Sequence, residues 1–105
     1  MINALISGTL HRDPKRGTAR TGAAFASVQV RTPLDNGETM MVSVIAFEPR
    51  VVEGLMLLTA GDAVCLTGQF NPKVYVDDNG ESHPSAEMTA QGLLNAYQVK
   101  RKRVG

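Results

Sequence analysis

The segment Val44-Ile45-Ala46-Phe47-Glu48-Pro49-Arg50-Val51-Val52-Glu53-Gly54-Leu55-Met56-Leu57-Leu58-Thr59-Ala60-Gly61-Asp62 changes its hydrophobic period twice. It opens as the end of a strand, with successive side chains on opposite faces. Glu48-Pro49 then starts a helix. Proline's fixed φ suits the first helical turn, where an N–H has no intrahelical acceptor to lose. Val51, Val52, Leu55 and Leu58 fall at i, i+1, i+4 and i+7, which makes one apolar stripe. Gly61 is a C-terminal stop signal. Asp62 begins another strand, which the apolar run carries to about Asn71. A single short helix is thus set between two strands.

The flanks supply the remaining strands. Strand 1 covers about residues 2–10 and ends before Asp13-Pro14, since proline cannot donate to a ladder. A basic loop runs from Lys15 to Arg20 and closes at Thr21-Gly22. Strand 2 alternates from Ala24 to Arg31. Ala24, Ala26, Val28 and Val30 face the core, and Phe25, Ser27, Gln29 and Arg31 face outward. Pro33 ends it, and Asp35-Asn36-Gly37 is a hairpin signal. Strand 3 runs from about Thr39 to Phe47. Met40, Val42, Val44 and Ala46 lie on one face, and Met41, Ser43, Ile45 and Phe47 on the other. Both faces are largely apolar, so the second needs a partner or ligand to cover it. Strand 4 is the segment from Asp62. Asp77-Asp78-Asn79-Gly80 is a hairpin tip, and strand 5 alternates from Ala86 to about Leu93. Three strands, one helix and two strands predict an all-β chain: a five-stranded Greek-key barrel, or OB-fold. The helix plugs one open end, and a long hairpin joins strands 4 and 5.

The length of 105 residues predicts one domain, assigned to residues 1–99 with a short basic tail at 100–105. Cys65, the lone cysteine, lies in an apolar run and reads as a small core residue. With no disulfide framework, no apolar run of about 18 residues and no basic n-region at Met1, the expected setting is cytoplasmic. The net charge is +1, but it is unevenly spread. Arg12, Lys15, Arg16, Arg20 and Arg31 crowd the first third against Asp13 alone, and Lys100 to Arg103 end the chain. Such clustering makes either a local positive stripe or merely solvated loops.

Five blocks resemble bacterial single-stranded DNA-binding proteins over nearly the whole length. The first is Asn3-Ala4-Leu5-Ile6-Ser7-Gly8-Thr9-Leu10-His11-Arg12-Asp13-Pro14. The second is Gly22-Ala23-Ala24-Phe25-Ala26-Ser27-Val28-Gln29-Val30-Arg31-Thr32. The others are Val44-Ile45-Ala46-Phe47, Ala60-Gly61-Asp62, and Thr67-Gly68-Gln69-Phe70 followed by Lys73, Tyr75 and Asp77 to Gly80. No block is decisive alone; their order and spacing carry the resemblance. It implies sequence-tolerant binding and protection of single-stranded DNA in replication, recombination or repair. It also implies a homo-oligomer, a tetramer or dimer.

By position, the resemblance puts Phe47 and Tyr75 at base-stacking sites. Stacking tolerates any base because every base has a π-face. Lys73 lies two residues before Tyr75, on the same face of the hairpin. Arg12, Lys15, Arg16, Arg20, Arg31 and Arg50 are candidate phosphate contacts. Met41 stands where the family has tryptophan, and Ser43 and Asn71 where it often has arginine. The chain has no tryptophan. These departures predict weaker binding and a smaller site than in a housekeeping member. The resemblance also implies an acidic C-terminal tip for recruiting replication proteins. The sequence instead ends in a basic run, so no such recruitment is expected. The competing readings are Phe47 as core, Tyr75 as an ordinary cross-strand aromatic, and the arginines as solvated charges.

No catalytic constellation appears, and no cofactor, metal or membrane partner is expected. His11, His83 and Cys65 fit no zinc spacing. Placing Gly80 at the sixth position of a calcium loop puts Tyr75 and Ala86 at ligand positions, so that loop fails too. Three rival readings stay open. One is a primosomal, replication-restart adaptor of the same fold that acts mainly through protein partners. Another is an RNA-binding barrel. The third is a structural module whose strand 3 face is an oligomer contact.

Overall fold

The computed structural model describes residues 2–95. The basic tail at 100–105 lies outside the described residues. Among the described residues, six strands and one helix follow the order β1 (Ile2–Leu10), β2 (Lys15–Thr18), β3 (Ala24–Pro33), β4 (Thr39–Ala46), α1 (Pro49–Met56), β5 (Ala63–Val76) and β6 (Ser82–Asn95). The sheet order is β1-β5-β6-β4-β3-β2, and β1 also pairs with β3. That second pairing closes β1, β5, β6, β4 and β3 into the expected five-stranded barrel. The pairings of these strands are antiparallel except β4 with β6, which is parallel.

Closure rests on two glycines. The sheet is joined at Thr9↔Arg31 and Leu10↔Val30. A Cβ on Gly8 there would collide with the Arg31 carbonyl. Between Thr67 and Gly68 the β5–β6 register shifts, and a Cβ on Gly68 would collide with the Thr89 carbonyl. Bulges at such points bend a strand so that a sheet can curl on itself.

Among the described residues, every buried side chain of the core is apolar. Val28, Val30, Val42, Val44, Leu66, Ala86 and Met88 point inward from the strands, and Val51, Val52 and Leu55 seal one end from α1. Leu55 and Leu66 are fully buried, each contributing about 1.5–3 kcal/mol by transfer. Leu58 lies past the helix end but still packs on the core, as the stripe requires.

Three expectations are corrected. The basic loop from Lys15 contains a strand, β2, paired to β3 from Lys15↔Ser27 to Thr18↔Ala24. A short charged edge strand needs only backbone pairing, so no alternation announces it. The hairpin strands are longer than Asn71 and Ala86 suggest. Their ladder continues to Val76↔Ser82, through Pro72 and Pro84. Past Phe70 the ribbon has left β1, and before Ser85 it has not reached β4, so its outer edges need no N–H. Cys65 is only partly buried. Its neighbours Val64 and Leu66 point inward, so alternation turns Cys65 outward opposite Ser7.

Candidate nucleic-acid interface

The outward residues of β2, β3, β4, β6 and β5 line up in rows because cross-strand partners share a face. One row is Lys15, Ser27, Ile45, Thr89 and Gln69. The next is Gln29, Ser43, Glu87 and Asn71, and the third Arg31, Met41, Ser85 and Lys73. Ser27, Ser43, Ile45, Gln69, Asn71, Glu87 and Thr89 line a groove of 590 Å³. A smaller hollow of 220 Å³ adjoins it at Ser27, Ser43 and Val44, and reaches Arg12, Asp13 and Lys15. The two form one shallow channel across the barrel wall.

Aromatic groups sit beyond both ends of the rows. Phe25 and Phe47 tilt against each other at 6.0 Å between centroids. Phe47 is 46% exposed, so it is not a core residue. Tyr75 rises on the free ribbon, stacked on His83 at 5.0 Å and 26°. It is both an ordinary cross-strand aromatic, paired with His83, and an exposed one.

The hairpin tip holds this stack. Asp77 Oδ1 accepts hydrogen bonds from the amides of Asn79 and Glu81, both at 2.9 Å. Its Oδ2 meets His83 Nε2 at 2.8 Å. The His83 bond first, then the Glu81 and Asn79 amides, hold the Asp77 carboxyl below its usual 3.8. Gly80, at φ 81°, supplies the left-handed turn residue. Asp77, Glu81 and His83 also bring three potential metal-ligating atoms within 4.8 Å. Both Asp77 oxygens are already engaged by the turn.

The candidate charges divide. Arg12 and Lys15 line the smaller hollow. Asp13, their acidic neighbour, is turned to the Ala60 amide at 2.8 Å and anchors this segment to the α1–β5 connection. Arg31 Nη2 donates to His11 Nδ1 at 2.9 Å beside Met41. Lys73 Nζ donates to Glu87 Oε1 at 2.8 Å from the next row. Arg16 pairs with the inward Ala26, so it projects away from Lys15. Arg20 is exposed in the turn closed between Ala19 and Ala23. Arg50 lines a separate 460 Å³ depression between α1 and the end of β6. The channel therefore gathers Arg12, Lys15, Ser43 and Asn71, with Arg31, Met41, Lys73, Phe47 and Tyr75 around it. It does not gather Arg16, Arg20 or Arg50.

Several members of this face have no counterpart in the sequence-derived set. Phe25 was legible, because the alternation of its strand turns it outward. Gln69, Glu87 and Thr89 were not, because only the β4–β6–β5 register brings them together.

No protein-family model and no curated relative matches the chain. Solved structures do. The fold is similar to that of a small single-stranded DNA-binding protein from Streptomyces coelicolor, with TM-score 0.69 and 18% identity. The match covers 90% of this chain and 93% of that one. It is similar also to a deletion mutant of the single-stranded DNA binding protein from Thermus aquaticus, with TM-score 0.67 and 18% identity. There it covers 90% of this chain and 40% of the other. The OB-fold is thus shared with bacterial single-stranded DNA-binding proteins.

Proposed function

We propose that this chain binds single-stranded DNA on the outer face of β3, β4, β6 and β5, tolerating many sequences, and performs no chemistry. The observation that carries this is the channel itself, flanked by exposed aromatic groups and cationic at one end. Bases stack on Phe47 and Tyr75, and phosphates follow Arg12, Lys15 and Arg31. The fold shared with proteins that bind single strands supports the same reading. Coating and protecting strands during replication, recombination or repair in the cytoplasm is the role this fits.

Self-association belongs to the proposal. Among the described residues, only Thr9 and Leu10 of β1 pair with β3, and none pairs with the edge from Ile2 to Gly8 on that side. An open edge is a template for another chain.

The test is the Phe47→Ala/Tyr75→Ala double variant, titrated with a fluorescent dT oligonucleotide. Two lost stacking contacts at about 1–3 kcal/mol each weaken binding tenfold or more. Unchanged affinity in a folded variant would place the strand elsewhere.

A further inference from the structure

We infer that Glu87 makes the groove selective, favouring bases that present an exocyclic amino group, cytosine over a 4-keto pyrimidine. The inference rests on the single-strand reading above and adds base discrimination to it.

Glu87 is anomalous on a surface meant for a polyanion. Among the described residues that line the larger groove, it is the one charged side chain. Its side chain is 58% exposed, so burial does not account for it, and Lys73 pairs with it from outside the groove lining. A carboxylate there repels phosphates. The backbone is then kept to the margin of Arg12, Lys15 and Arg31, and base edges are left to enter the groove.

The other polar groups around it do not discriminate. Ser43 and Asn71 are its cross-strand neighbours, and Gln69 lies one row away. Hydroxyls and amides both donate and accept, so they adapt to either edge. An ionised carboxylate only accepts. Lys73, which only donates, does not line the groove and reaches Glu87 Oε1 from its rim. A carboxylate has about four acceptor sites, so one lysine leaves others for a base. Cytosine offers its N4 amino group as a donor, whereas thymine and uracil place the O4 acceptor there. The first pairing is attractive and the second sets acceptor against acceptor.

The experiment compares dC15 with dU15, which share ring size and lack the thymine methyl, by competition against a labelled strand at pH 7.5 and fixed salt. The wild-type chain is expected to bind dC15 at least fivefold more tightly than dU15. In Glu87→Gln the ratio falls within twofold, and dU15 binds more tightly than to wild type because Lys73 is released. In Lys73→Met the ion pair is equally broken, yet the preference for dC15 persists. Equal affinities in the wild type, or a dC15 preference surviving in Glu87→Gln, overturn this inference alone. Failure of both strands to bind overturns the single-strand reading and this one with it.

Discussion

Phe47 shows what a single position in the sequence can and cannot reveal. Alternation along its strand set it outward, and it is exposed there. Its neighbour Phe25, next to the last paired residues Ala26↔Ala46, was hidden until β3 and β4 were in register, although Phe25 broke the polar pattern of its own strand. His83 was less legible still. It docks on Asp77 and under Tyr75 only because the ribbon folds back on itself. That docking has a pH consequence. The folded Asp77 carboxyl lies below its usual 3.8. A group depressed in this way supports the fold fully above its unfolded value, and that support is lost as pH falls through the folded value. The Asn79 and Glu81 amide resonances are therefore expected to shift with a midpoint below 3.8. A shift with a midpoint at or above that value contradicts the arrangement.

Among the elements, strands with one buried face were readable and strands without one were not. β1, β3 and β4 carry a regular inner row, including Leu10, Val28, Val30, Val42 and Val44, and their spans came out nearly as expected. β2 buries no side chain, so Lys15 and Arg16 looked like loop. Pro72 and Pro84 stay within the ladder because the effect of a proline depends on whether a neighbour needs its N–H. On a two-stranded ribbon none does. The bulge at Gly68 was equally silent, yet closure depends on it. Gly68→Ala forces a methyl group against the Thr89 carbonyl. It is expected to cost about 1–3 kcal/mol, the usual range for overpacking. The denaturation midpoint reads this directly. An unchanged midpoint would mean the strands can part there without loss.

At the scale of the whole molecule, a net charge of +1 conceals a division of labour. The acids gather mostly in turns and on the ribbon, while Arg12, Lys15 and Arg31 stand at one side of the channel. The order of the elements revealed the barrel, since few topologies place one helix between the third and fourth of five strands. It could not show which cations share a face, because Arg16, Arg20 and Arg50 scatter once the barrel closes. A few cations at one margin of an aromatic-flanked channel imply binding of modest strength with modest salt dependence. The central claim is tested most directly by titrating a fluorescent dT oligonucleotide across a range of salt concentrations. With about three phosphates neutralised, log K is predicted to fall against log salt with a slope of about −2. Absent binding, or a slope near zero, contradicts it.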